Sequence, residues 1–110
     1  MELLTKRRLE KVLDGYIASK VPRDLRGEVR LAYAWSAEGL ALYEERPDYE
    51  RRCWDRTRIA QLRPSQQGWD VYAPAANEDW ATVCSIAPHP DFEAQLEQIE
   101  LDREGLFWIS

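Results

Sequence analysis

Proton transfer near neutral pH calls on histidine, and this 110-residue chain has one. His89 stands between Pro88 and Pro90, the setting of an exposed loop residue. Cys53 and Cys84 lie far apart in sequence, and neither sits in a local nucleophile signature, although a Cys-His-Asp arrangement can be drawn from either with His89. A reducing compartment keeps both as thiols with no disulfide, and their expected role is small packing. Two cysteines and one histidine cannot supply four zinc ligands at characteristic spacings. Gly15, Gly27, Gly39, Gly68 and Gly105 each stand alone, so no dinucleotide or phosphate loop is present. No cofactor is expected.

The densest polar cluster is Glu44-Glu45-Arg46-Pro47-Asp48. Alternation along a strand puts Glu44 and Arg46 on one face and Glu45 on the other. One acid could therefore join Asp70 or Asp102 around a divalent cation, or in a carboxylate and arginine hydrolase site built from Glu45, Arg46, Asp70 and Asp102. The competing reading ties Arg46 to an acidic neighbour and leaves the acids solvated at a strand end. A nuclease of the strand Glu-x-Lys type is excluded in its usual form: Lys6, Lys11 and Lys20 all precede the strands. Arginine cannot replace lysine as a proton donor near pH 7.

Aromatic residues are the second concentration. Trp35, Trp54, Trp69, Trp80 and Trp108, with Tyr33, Tyr43, Tyr49 and Tyr72, fall almost wholly on strands or in the loop after Pro47. Core packing, a dimer contact and a ligand platform are the three uses such rings have. As a platform, Arg46, Tyr49, Trp54, Trp69, Tyr72 and Trp80 are the binding candidates. Arg51, Arg52, Arg56, Arg58 and Arg63 surround Tyr49 and Trp54, the interleaving a single-strand nucleic-acid groove uses. Asp48, Glu50 and Asp55 in the same segment make a salt-bridged loop the preferred description.

These residues need elements to position them. Leu9, Val12, Leu13, Tyr16 and Ile17 form one helical stripe between Thr5, a candidate N-cap, and Lys20, and Val21-Pro22 ends it. Val29, Leu31, Tyr33 and Trp35 alternate with smaller or polar residues as a first strand. Ser36 to Gly39 makes a turn, and residues 40–46 a second strand stopped by Pro47. Residues 47–56 read as an exposed excursion, followed by strands at 57–63, 69–73 and 79–86. Short connections favour an antiparallel meander. Asp91 is a candidate N-cap for a helix carrying Phe92, Leu96 and Ile99 and closing near Gly105, and residues 106–109 read as a short final strand. The predicted fold is α+β: an antiparallel β-meander of about five strands with an N-terminal helix, a C-terminal helix and a short final strand, in one domain over residues 1–110.

Composition bounds the function. The chain is 45% hydrophobic and 32% charged, enough to fill a core and solvate a surface. Residues 1–63 carry 14 Lys+Arg against 11 Asp+Glu, and residues 64–110 carry 1 against 9. The net charge of -5 disfavours sequence-independent nucleic-acid binding, which draws its affinity from neutralised phosphates. No apolar run suits a bilayer or a signal peptide, so the expected location is the cytoplasm, with no membrane partner.

The order Glu45-Arg46-Pro47, then Trp69 with Tyr72, then Trp80, and finally Asp102 followed by Gly105 and Phe107 resembles domain of unknown function 3024 (DUF3024), over nearly the whole chain. The resemblance implies a small bacterial α+β protein and brings no activity with it. Members tend to carry further aromatic and basic residues between the fourth and fifth strands, where this chain has Ala73, Ala75, Ala76 and Ala81. The reading that follows is a non-enzymatic binding or interaction module, with a homodimer or protein partner expected. The alternatives are the carboxylate and arginine hydrolase and an arginine-mediated nucleic-acid contact.

Overall fold

The computed structural model describes residues 3–20 and 28–107. Helix α1 spans Leu3–Lys20. Five strands follow, β1 (Arg30–Ser36), β2 (Gly39–Asp48), β3 (Cys53–Ser65), β4 (Gly68–Pro74) and β5 (Trp80–Thr82), and then helix α2 (Phe92–Leu101). The strands form one sheet in sequential order, and the short connections make neighbours antiparallel, as the β3–β4 and β4–β5 registers show. The α+β meander with a helix at each end is therefore the fold.

By internal contact the chain falls into two compact units, residues 1–32 with 44–56 and residues 33–43 with 57–110. In the first, α1 buries Leu9 and Leu13 of the expected stripe. The helix starts at Leu3, one turn ahead of Lys6, so Thr5 lies inside it and is not its cap. β2 does not stop at Pro47, and β3 begins at Cys53, four residues before the expected start. The expected excursion shrinks to a turn over residues 49–52. Asp48 closes that turn: its Oδ1 accepts the backbone N–H groups of Glu50 and Arg51 at 3.1 and 3.2 Å.

In the second unit, Leu62 stands opposite Val71 and Pro64 opposite Trp69, which puts them on one face of the sheet. That strand, β4, is where α2 packs, burying Phe92, Leu96 and Ile99. Trp69 meets Phe92 edge-on with centroids 4.9 Å apart. Such a pair adds about 1 kcal/mol to the area it buries. Asp91 caps α2 as expected, accepting the Glu93 N–H at 3.0 Å. The helix closes earlier than Gly105: Asp102 takes the left-handed position at φ 43°, and its carboxylate accepts the N–H groups of Leu106 and Phe107. Leu106 and Phe107 belong to no strand, and Trp108 and Ile109 lie outside the described residues.

Two hairpin turns in this unit use one device. In Ser36-Ala37-Glu38-Gly39 and in Ser65-Gln66-Gln67-Gly68, the serine Oγ accepts the N–H two residues on, at 3.3 Å in both. Each glycine has positive φ, 145° at Gly39 and 116° at Gly68. Gly68 also lets the His89 carbonyl approach so closely that a Cβ there would overlap it. His89 pairs with Trp69 through both backbone bonds, at 2.8 and 3.3 Å. The buried Gln95 amide donates to the carbonyls of Trp69 (2.8 Å) and Ala87 (2.9 Å), pinning the loop before α2 along β4. With that edge of β4 taken by the loop, β5 is only three residues long instead of the expected eight.

Candidate binding site

Glu45 is 7% exposed, a buried acid on β2. Arg30 of β1 donates Nε to its Oε1 at 2.8 Å, and Arg56 of β3 donates Nε to its Oε2 at 3.0 Å. Burial pushes the Glu45 carboxyl up, but the two guanidinium hydrogen bonds, helped by the charges behind them, outweigh it and hold the group below its usual range. Arg30 stacks on Trp54, its guanidinium carbon 3.8 Å from the ring centroid. One carboxylate thus ties β1, β2 and β3 laterally, which explains why the strands continue where the residue pattern turns charged.

Arg46 faces the other way and pairs with Glu44 at 2.6 Å, as alternation predicts. Asp70 lies on β4 opposite Arg63, and Asp102 spends its carboxylate on the chain after α2. Of the four hydrolase candidates, Glu45 and Arg46 belong to one compact unit and Asp70 and Asp102 to the other. Among the described residues no group of three or more histidines, cysteines, aspartates or glutamates is gathered as a metal site.

The aromatic candidates divide by burial. Trp69 is 8% exposed and lies beneath α2, so it is a core residue and not a platform. Tyr72 and Trp80 are half-buried, each beneath an arginine: Arg63 stands 4.2 Å above Tyr72 and Arg58 4.8 Å above Trp80. Arg58 also donates to the carbonyls of Ala75 and Asp79, closing the β4–β5 connection. Arg63 is held by Glu38 and Gln61. Much of the arginine excess is accordingly structural, flat cations laid on flat rings. Both cysteines are exposed free thiols, contrary to the packing role expected of them.

Tyr49 is different, with 78% of its surface exposed at the tip of the β2–β3 turn. Together with Pro47, Asp48, Arg52, Cys53 and Trp54 it lines an open groove of about 330 Å³. Asp48 is fully engaged there, its Oδ2 taking Arg51 Nε at 2.7 Å, and that bond first, with two backbone N–H groups, lowers its pKa. Arg51 reaches Asp55 as well, at 2.6 Å, and its own pKa is raised, chiefly by the bond to Asp48. Arg52 holds a left-handed backbone, φ 55°, rare for a residue with a side chain.

An antiparallel meander with a helix at each end and an aromatic groove at one hairpin tip defines an α+β protein. The chain belongs to the family described as Domain of unknown function (DUF3024), whose model matches residues 1–109. No match was found among curated proteins or among solved structures. Among the described residues no helix is long and apolar enough to cross a membrane.

Proposed function

We propose that this protein is a non-catalytic binding module whose contact surface is the groove at the β2–β3 turn. The observation that carries the reading is Tyr49: a large ring 78% exposed beside the half-buried Trp54, in an open groove. A ring left in water at a hairpin tip is the kind of anchor that binding surfaces use, because it presents much apolar area on a side chain with few rotatable bonds. The hydrolase alternative is weaker on chemical grounds. Both Glu45 oxygens are committed to arginines, so the group is neither a free base nor a proton donor.

The test is selection of a random displayed peptide library on the immobilised full chain, with counter-selection on Tyr49→Ala. Tyr49 is exposed, so the variant keeps the fold. Families of sequences enriched on the parent and lost on the variant are the expected outcome. Enrichment that is absent, or equal on both, removes the groove from consideration.

A further inference from the structure

We infer that the groove takes an extended acidic peptide segment of a partner protein, seating a flat apolar side chain such as proline against Tyr49 and Trp54 and a carboxylate on Arg52. This rests on the binding reading above and supplies the partner's chemistry.

The groove holds unspent charge. Four arginines lie on this hairpin end, and three are bound by acids: Arg46 by Glu44, Arg51 by Asp48 and Asp55, and Arg56 by Glu45. Arg52 lines the groove and, among the described residues, makes no hydrogen bond or ion pair. Asp48 is the groove's one carboxylate, and its two oxygens are filled by two backbone N–H groups and the Arg51 guanidinium. What the groove presents to a ligand is therefore one forked cation and two aromatic side chains, of which Trp54 carries Arg30 on its ring. A carboxylate accepts two parallel bonds from such a fork. Of the five acids in residues 44–56, four are bound by arginines, and the fifth, Glu50, does not line the groove. Within the groove lining the uncommitted charge is the cation of Arg52, which favours an acidic partner.

Single-stranded nucleic acid would use the same rings, but its affinity is built from several neutralised phosphates, and one uncommitted guanidinium supplies one contact. The Pro47, Tyr49 and Trp54 surfaces suit the preformed left-handed helix of proline-rich segments, which docks against aromatic walls with little ordering cost. A groove of about 330 Å³ sits at the small end of ligand sites, so an isolated peptide binds with a Kd on the order of 0.1–1 mM.

The experiment is a two-dimensional NMR titration of the 15N-labelled full chain with the capped peptide Pro-Pro-Glu-Pro-Pro. Parallel titrations use Pro-Pro-Gln-Pro-Pro and a short oligothymidylate. Arg52→Gly is the informative variant, because glycine suits the left-handed φ and so removes the whole Arg52 side chain without straining the turn. Shifts confined to residues 47–54 are expected, with the Gln peptide bound roughly tenfold more weakly. Arg52→Gly should lose about the same factor for the Glu peptide and no longer distinguish the two peptides. Equal affinity of the parent for both peptides overturns the acidic-segment inference while leaving the groove a binding site. Tighter binding of the oligothymidylate overturns it in favour of nucleic acid. No shift at residues 47–54 with the Glu peptide overturns it as well, and the library selection then decides the broader reading.

Discussion

Replacing Glu45 with glutamine keeps the shape of the side chain and removes its charge, which isolates what the carboxylate does between β1 and β3. Each carboxylate oxygen now accepts one arginine Nε–H. Glutamine offers one oxygen and one NH2, so one arginine loses its acceptor and faces a donor, and the other keeps a bond of neutral strength. A hydrogen bond to a charged group contributes about 1.5–3 kcal/mol when buried. The two arginine side chains here are 47% and 49% exposed, so about 1 kcal/mol per bond is the fitting figure. Glu45→Gln should then cost about 2 kcal/mol, a fall in Tm of roughly 8 °C for a chain of this length. The pH dependence gives a second readout. Glu45 has its pKa lowered from 4.5, so its contribution is complete above that value and is lost as pH falls through the folded pKa. The gap in Tm between parent and variant should stay constant from neutral pH down to about 5 and close below 4.5. Asp48 weakens in the same acid range, but it does so in both proteins and cancels in the comparison. A Tm within about 2 °C of the parent at neutral pH, or a gap that persists in acid, refutes the reasoning.

Two further perturbations probe the unit that holds α2. Gly68→Ala drives a Cβ into the His89 carbonyl at a backbone φ of 116°, and should cost about 3 kcal/mol in denaturant unfolding; a cost below about 1 kcal/mol would mean the loop is not held where it lies. Gln95→Leu fills the same space but leaves the carbonyls of Trp69 and Ala87 without the amide that now serves both. The expected loss is about 2 kcal/mol, with faster amide exchange at His89, whose N–H bonds to Trp69. Unchanged exchange there would show that Gln95 does not pin the loop.

Residues with a simple period were readable. The helical stripe, the strand alternation and the Asp91 cap each depend on neighbours in sequence, and the structure has a helix burying Leu9 and Leu13, a strand from Arg30 that carries Leu31, Tyr33 and Trp35, and the cap. What stayed hidden depends on partners across the sheet. Residues 47–56 look like a charged loop because Glu45 takes Arg56 and Arg30, and Arg30 lies on Trp54, relations across strands that no window along the chain displays. For the same reason Glu45 reads as a solvated strand-end acid and is in fact buried. Trp69 reads as a platform until α2 is laid over it. Gln95 had a legible signal: it lies on the apolar face of α2 between Phe92 and Ile99, where a polar residue needs a buried partner. In the groove, Tyr49 and Trp54 were visible as aromatics in a charged segment, whereas the spent and unspent arginines emerge only once their partners are known.

On the binding reading, Tyr49 and Arg52 are kept for binding and not for folding. The most direct measurement determines Tm and affinity for a library-selected peptide on the same samples of parent and the Tyr49→Ala, Arg52→Gly double variant. The expected result is a Tm within about 2 °C of the parent and an affinity lower by at least tenfold. Undiminished affinity, or a loss of affinity that comes with a comparable loss of stability, would contradict the claim.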